Sequence, residues 1–396
     1  MTSSSARWCA SRCLATIGMV VMVSIGLAVQ PAGAARTSPK AGVIAVEGPM
    51  SGEQASTGTD MANGAQLAVS QINAAGGVDG VQLTLVKVND KATAAGGLAA
   101  ARKAIAAHAF AVVGPFNSSV GVVNLPLYKR AGLPIVRLTS STKTEGFGVT
   151  TQPMDPQIAP VEVHEISAVL HAAHPAIIYD TSTFPAGIAS QVKAGLAAAG
   201  DPAVAYVPVR EGQKSYTSAL TKVAAAHPDL LYISAYGTQA GTIAKQASTM
   251  NTGRCFIEGV AAQGPDFVAA ATQPVASTCL SSGVPSAQQF AGAAQYVSTY
   301  QSTFHTAPGT WGTYTYDSVE ILANAIKQAG WHQKSVISAM AHTNGYAGIT
   351  GPITIASSTG NRVQSTVVML DIDSTGNYVI DPQWAAATGF PLTPVS

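Results

Sequence analysis

Short apolar runs alternate along the chain with segments whose apolar residues recur every three or four positions. In the first part of the chain, apolar runs predict strands at residues 43–46, 83–88, 110–113 and 134–138. After the first run, an apolar stripe with helical spacing predicts one face of a helix, and it consists of Met61, Ala65, Ala68 and Ile72. Strands that alternate with helices predict right-handed βαβ units, and therefore a parallel sheet covered on both faces.

The same alternation then starts again in the second part of the chain. Further strands are predicted at residues 176–179, 204–207, 230–234 and 255–258, with helices at residues 187–199, 215–226 and 238–249. Helical patterns return at residues 290–304 and 316–329, and the end of the chain is β-like at residues 353–355 and 366–371. No long Pro/Gly/Ser linker separates the halves, so we expect two lobes joined by several short crossings. The expected N-terminal lobe comprises residues 36–155 and 286–364, and the C-terminal lobe comprises residues 156–285 and 365–396.

Residues 1–35 have the pattern of a secretory signal peptide. Arg7 and Arg12 precede an uncharged apolar run at residues 14–29, and the small residues Ala32 and Ala34 follow it. A transmembrane anchor is the alternative, but the run is short for a hydrocarbon core of about 30 Å. We therefore expect export, with cleavage near Ala34, to the periplasm or the exterior of the cell envelope.

Cleavage near Ala34 would leave two of the four cysteines, Cys255 and Cys279. In an oxidising compartment two remaining cysteines most simply form a disulfide. Two buried free thiols are the alternative.

Charge and composition restrict the partners. The 21 basic residues nearly balance the 20 acidic residues, and the formal net charge is +1. No basic surplus is available to neutralise phosphates, so we expect no nucleic-acid partner. Aromatic residues make up only 6% of the chain although 47% is hydrophobic, so alanine supplies much of the apolar content and favours helices packed closely on a sheet.

Several segments together resemble a known family. The turn after the first strand has the sequence GPMSG at residues 48–52, a helix ends in INAAGGVDG at residues 72–80, and GITGPIT at residues 348–354 precedes Gly360. These motifs resemble, in family order, those of the type I periplasmic binding proteins, in particular the branched-chain amino-acid and amide-binding branch. The resemblance implies an α/β fold with two Rossmann-like, doubly wound parallel-sheet lobes joined by a multi-strand hinge.

The resemblance also implies ligand-binding residues at the carboxyl ends of strands, where open α/β sheets bind ligands. In the turns after the third and fourth strands, Ser118, Ser140 and Thr142 match positions at which the family binds a ligand carboxylate through hydroxyls and backbone groups. In the second lobe, Tyr236 matches a ligand-contacting tyrosine, and Phe184 stands where many members have tyrosine. Solvated loop hydroxyls are the alternative interpretation of the serines and the threonine.

A ligand that carries an ammonium group would need an anionic partner. Glu258, at the end of a predicted strand, is the first candidate, and Asp155, near the first expected crossing, is the second. A solvated strand end is the alternative interpretation of Glu258.

No catalytic motif is evident in the sequence, which contains no G-x-S-x-G, H-E-x-x-H or phosphate-binding loop. His164, His171 and His174 with Glu162 and Glu165 form one notable cluster, and a solvated helix face explains it better than a metal site. We therefore expect no enzyme activity, no cofactor and no metal.

Three functional hypotheses follow. The first is an exported solute-binding protein that captures a small polar ligand, an amino acid or related amide, between two closing lobes. It would act as a monomer and deliver the ligand to the permease subunits of an ABC importer. The second is a ligand-sensing module of the same fold that acts on a signalling partner. The third is an exported enzyme on the same scaffold, against which the missing catalytic motifs count.

Overall fold

Two β-sheets organise the computed structural model, which describes residues 42–364 and 366–388. The predicted signal peptide and its cleavage position lie outside the described residues. None of the described helices is long and apolar enough to span a membrane.

The first sheet is entirely parallel, and its five strands have the order β2-β1-β3-β4-β5. Its strands are β1 Gly42–Gly48, β2 Leu83–Asn89, β3 Ala111–Val113, β4 Ile135–Arg137 and β5 Val149–Thr150. The connecting helices are α1 Ala55–Ala74, α2 Ala94–Ala106 and α3 Ser118–Arg130, and a 3₁₀ turn follows at Thr142–Thr144. These elements begin the first lobe.

The chain then enters the second lobe, whose helices and strands also alternate. The helices are α4 Asp155–His164, α5 Thr183–Ala199, α6 Thr217–Ala224, α7 Gly237–Ala247, α8 Gly259–Ala262, α9 Pro265–Ala271 and α10 Gln273–Ala276. The strands are β6 Pro175–Asp180, β7 Ala205–Val209, β8 Leu230–Ser234, β9 Arg254–Ile257 and β10 Cys279–Gly283. A π-helical turn at Glu165–Val169 continues α4.

After β10 the chain returns to the first lobe and later comes back to the second sheet. A 3₁₀ turn at Ala287–Gln289 is followed by α11 Ala294–Phe304, α12 Thr310–Ala329, α13 Gln333–Ala341, β11 Tyr346–Gly348, β12 Gly351–Ile353, β13 Ile355–Ala356 and β14 Asn361–Arg362. The last elements are β15 Val368–Ile372, β16 Tyr378–Ile380 and α14 Pro382–Thr388. Antiparallel pairing of β15 with β10 and β16 gives the second sheet the order β16-β15-β10-β9-β8-β6-β7.

The returning segment completes the first lobe through a close contact between α12 and α1. A Cβ atom on Gly64 would lie 1.9 Å from the carbonyl oxygen of Gly312, so only glycine permits this approach. Asp60 on α1 also fixes the start of α12 and holds α11 beside it, because its Oδ1 accepts hydrogen bonds from Gly309 N at 2.9 Å and from the hydroxyl of Tyr300 in α11 at 2.8 Å.

Three segments cross between the lobes: β5 to α4, β10 to α11, and β14 to β15. The first and third crossings are tied together by side chains. Gln157 Nε2 donates to the carbonyl oxygens of Arg362 at 3.1 Å and Val363 at 3.2 Å. The buried Arg362 guanidinium donates to Thr151 O and to Thr350 Oγ1, both at 2.9 Å. The lobes are therefore joined by a multi-strand hinge.

The predicted α/β fold with two parallel-sheet lobes is confirmed, and the predicted disulfide is present. Cys255 and Cys279 are register partners in the neighbouring strands β9 and β10, with a Cα–Cα distance of 4.6 Å. The cluster does not form the expected solvated helix face, because Glu162 and Glu165 are buried. His164 is the last residue of α4, and His171 lies beyond the π-helical turn at a φ of 50°, so the two residues do not share one helix face.

Candidate functional site

A small cavity lies where the carboxyl ends of strands from both sheets face each other. Each lining residue follows a strand, and the lining set is Phe116, Ser118, Leu138, Ser140, Gln152, Phe184, Tyr236 and Val260. The centre of a water-sized sphere can occupy about 10 Å³ of it, which is room for about one water molecule. The lobes are therefore closed, and none of these lining residues carries a charge.

Serine hydroxyls and one amide form the polar wall of the cavity. Ser118 is the first residue of α3, where backbone N–H groups and the helix dipole favour a negatively charged ligand group. Its Oγ accepts from Ser141 N at 3.3 Å, so its own proton stays available for a ligand. Ser140 Oγ donates instead to Pro153 O at 2.8 Å and accepts from Gln152 Nε2 at 2.8 Å.

Aromatic rings form the opposite, apolar wall. The Phe116 ring lies 6.1 Å from the Tyr236 ring across the cleft and 4.9 Å from the Trp311 ring behind it, measured between centroids. Phe184, in the first turn of α5, is buried beside them. Burial raises the pKa of Tyr236, while a hydrogen bond with Asn117 opposes the shift, so this hydroxyl stays neutral. The wall suits the apolar part of a small ligand.

The structure places Thr142 and Asp155 outside the lining of the cavity. Thr142 is exposed at the start of its 3₁₀ turn, and its backbone N–H donates to the Asp155 carboxylate. Asp155 is buried in the first turn of α4 and also accepts from Gln191 Nε2 at 3.4 Å. Burial raises the pKa of Asp155 to about 8, with smaller contributions from Glu162 and Glu145 in the same direction.

The Glu258 carboxylate is directed at its own backbone. It accepts hydrogen bonds from Val260 N at 3.1 Å and Ala261 N at 2.9 Å, and it caps the short helix α8. Burial raises the pKa of Glu258 well above its usual range, and the neighbouring Glu162 raises it further. Glu258 is therefore adjacent to a lining residue, Val260, but its carboxylate is not part of the lining itself.

Hydrogen bonds at the edge of the cleft connect the two lobes, and we call this group the lip. Gln54, in the turn before α1, donates through Nε2 to Glu211 Oε1 at 3.1 Å and accepts at Oε1 from Asn117 Nδ2 at 2.9 Å. Thr238 Oγ1 donates to the backbone oxygen of Glu53 at 3.1 Å. Ser56 Oγ donates to an Asp266 carboxylate oxygen.

The structure brings together four of the predicted residues, namely Ser118, Ser140, Phe184 and Tyr236. Sequence reasoning missed the other four lining residues, which are Phe116, Leu138, Gln152 and Val260. Leu138 is the last residue of a predicted strand and Phe116 lies three residues after the end of another, so the strand-end rule that identified the serines also applied to them. Among the described residues, no group of three or more histidine, cysteine, aspartate or glutamate side chains is arranged to hold a metal ion.

The two lobes are joined by a multi-strand hinge and meet over a cavity at the ends of their strands. This arrangement defines a two-lobed solute-binding protein. A family model described as periplasmic binding protein matches residues 43–377. The chain belongs to this family, whose members are substrate-binding proteins of ABC transporters and not enzymes, and the family implies export to the periplasm.

Individual relatives agree with this assignment. The chain is 29% identical over 300 residues to an amino acid binding protein of Pseudomonas aeruginosa, covering 73% of this chain and 79% of the relative. It is 26% identical over 317 residues to Leu/Ile/Val-binding protein homolog 2 of Brucella abortus, covering 78% and 85%. A similar crystal structure is that of LivJ from Streptococcus pneumoniae, a branched-chain amino acid transporter substrate-binding protein, in complex with isoleucine. The two structures have a TM-score of 0.78 at 26% sequence identity, and the match covers 86% of this chain and 98% of that chain.

Proposed function

We propose that this protein captures an amino acid with an aliphatic side chain between its two lobes and delivers it to the permease of an ABC importer. The cavity itself carries the proposal. Ser118 and the start of α3 offer donors to a carboxylate, while Phe116, Phe184 and Tyr236 offer an apolar wall. The relatives that bind branched-chain amino acids support the same ligand class.

Binding requires the lobes to open and close. An amino acid does not fit into about 10 Å³, so a ligand enters an open form and displaces the rings and side chains that now meet. Contacts of the ligand with both lobes then stabilise the closed form, which the permease distinguishes from the open form.

Export and oligomeric state complete the proposal. Residues 1–35 would direct the chain across the membrane and be removed near Ala34, and the mature protein would act as a monomer. Mass spectrometry of the exported protein and light scattering of the purified protein test these two points directly.

A thermal-shift screen tests the ligand class. The mature protein is stripped of ligand by unfolding and refolding, and then heated with amino acids, amides, aromatic acids, polyamines and sugars. A ligand at 100 times its dissociation constant adds about 2.7 kcal/mol of stability, which gives a clear shift. We expect the largest shifts from leucine, isoleucine and valine. Shifts only from acids that lack an amino group would retain the fold assignment and reject the proposed ligand class.

A further inference from the structure

Gln152 is a buried cavity residue with an unused hydrogen-bond acceptor. It follows β5 in the first crossing segment, lines the cavity and is 1% exposed. Its Oε1 is buried and has no hydrogen-bond partner among the described residues. Buried polar atoms are nearly always paired, so an orphaned acceptor at a cavity indicates a group that arrives with the ligand.

The hydrogen-bond network fixes which end of the amide is free. Ser140 Oγ donates its one proton to Pro153 O, so it can only accept from Gln152. The group of Gln152 that faces Ser140 must therefore be Nε2, and the free atom must be the carbonyl oxygen. An amide flip would place two acceptors against each other, and it is excluded for that reason.

We propose that Gln152 is a ligand-binding residue whose Oε1 accepts a hydrogen bond from an N–H or O–H group of the bound molecule. This inference rests on the proposed function and deepens it by naming how the ligand nitrogen is recognised. Ser118 supplies a donor and Gln152 supplies an acceptor, so the cavity selects molecules that carry an acceptor and a donor together. An α-amino acid meets this requirement, whereas the same acid without its amino group does not.

Gln152 lines the cavity, whereas the carboxylate of Glu258, the sequence-based candidate for the ammonium group, does not. The Glu258 carboxylate already accepts two backbone N–H groups, while Gln152 Oε1 accepts none. The neutral side-chain oxygen of Gln152 can also accept a hydrogen bond from the N–H group of an uncharged amide ligand. Amides are therefore the second ligand class that Gln152 can bind.

Calorimetric titration of two matched probes tests the inference. Isoleucine and 3-methylpentanoate have the same carbon skeleton, and only isoleucine carries an amino group. Gln152→Met removes the acceptor at nearly constant volume, and we expect it to weaken isoleucine binding about tenfold while changing 3-methylpentanoate binding less than about twofold. Gln152→Glu retains an acceptor, and we expect it to preserve the preference for isoleucine.

Gln239→Met is the matched control. Gln239 is also buried, and its Nε2 donates to Asp180 Oδ2 at 3.2 Å. Its Oε1 has no partner within the part of the chain that the structure describes, but the residue does not line the cavity. We expect it to affect both probes equally. The inference would be overturned if Gln152→Met weakened the binding of both probes equally or of neither probe. It would also be overturned if the wild-type protein bound both probes equally. Each of these results would leave the proposed function intact. A wild-type protein that binds no amino acid or amide would reject the proposed function, and the inference with it.

Discussion

Gln54 of the first lobe donates a hydrogen bond from Nε2 to Glu211 Oε1 of the second lobe, at 3.1 Å. The other end of the same amide accepts from Asn117, the residue before Ser118, at 2.9 Å. Gln54 thus connects the wall of the cavity with the opposite side of the cleft. Because the bond to Glu211 requires the lobes to be close, it stabilises the closed form and not an open one.

Removal of this contact should therefore speed ligand release. We expect Glu211→Ala to weaken binding about fivefold, through a faster dissociation rate at a nearly unchanged association rate. Stopped-flow kinetics with isoleucine measures both rates. Glu53→Ala is the control, since it removes a neighbouring exposed acid while the backbone oxygen of Glu53 still accepts from Thr238. Equal rates in Glu211→Ala and the wild-type protein would show that the contact between Gln54 and Glu211 does not stabilise the closed form.

The Ser118 hydroxyl should contribute to affinity more than the Thr142 hydroxyl. Ser118 is 1% exposed and lines the cavity, whereas Thr142 is exposed outside it. We expect Ser118→Ala to weaken isoleucine binding about tenfold and Thr142→Ala to weaken it less than about twofold, as calorimetry measures, with melting temperatures close to the wild-type value. The opposite ranking would place the ligand carboxylate at the 3₁₀ turn.

Stability should fall as the pH rises through the neutral range. The pKa of Asp155 is raised by burial to about 8, whereas an unfolded aspartate titrates near 3.9. Between these values the folded state holds a proton that the unfolded state has released, so the stabilisation is complete below about pH 4 and is lost as the pH approaches 8. In Asp155→Asn, the slope of the unfolding free energy between pH 5 and 7 should become shallower by about 1.4 kcal/mol per pH unit. Urea unfolding at several pH values measures this slope, and an unchanged slope would mean that Asp155 is ionised in the folded protein.

The disulfide should stabilise the second lobe without affecting the ligand. Cys255 and Cys279 are 24 residues apart and lie near the amino ends of β9 and β10, whereas the cavity lies at the carboxyl ends of the strands. On the chain-entropy model such a loop contributes about 3 kcal/mol. We expect Cys255→Ala/Cys279→Ala to lose about this much in urea unfolding while the dissociation constant for isoleucine stays within about twofold. A large loss of affinity would mean that the bond supports the cavity as well.

Much of the fold could be predicted from the sequence because most strands are short, almost wholly apolar runs. The strand predicted at residues 230–234 has these same bounds in the structure, and most others differ by one or two residues. β10 was not predicted, since its sequence CLSSG contains little apolar signal and is buried by its neighbours on both sides. The π-helical turn at Glu165–Val169 was also missed, because helical periodicity does not distinguish i→i+5 from i→i+4 hydrogen bonding.

The site was less accessible to sequence reasoning than the fold. Strand ends identify which turns face the cleft, but they do not show which way a side chain points within a turn. Ser140 and Thr142 are two positions apart in one turn, and only Ser140 lines the cavity. Gln152 follows the two-residue strand β5, which carries no strand signal of its own, so nothing in the local pattern indicated that this crossing segment lines the cavity.

The order of the strands has a consequence for how the protein is made. β10 pairs with β15, which the chain reaches only after α11–α13 and two hairpins have returned to the first lobe. Likewise α1 packs against α12, more than two hundred residues further along the chain. Each lobe is therefore incomplete until late segments have been synthesised, and neither can close its core while the nascent chain is short. For a member of a family that implies export to the periplasm, such a strand order would delay folding until most of the chain has been synthesised.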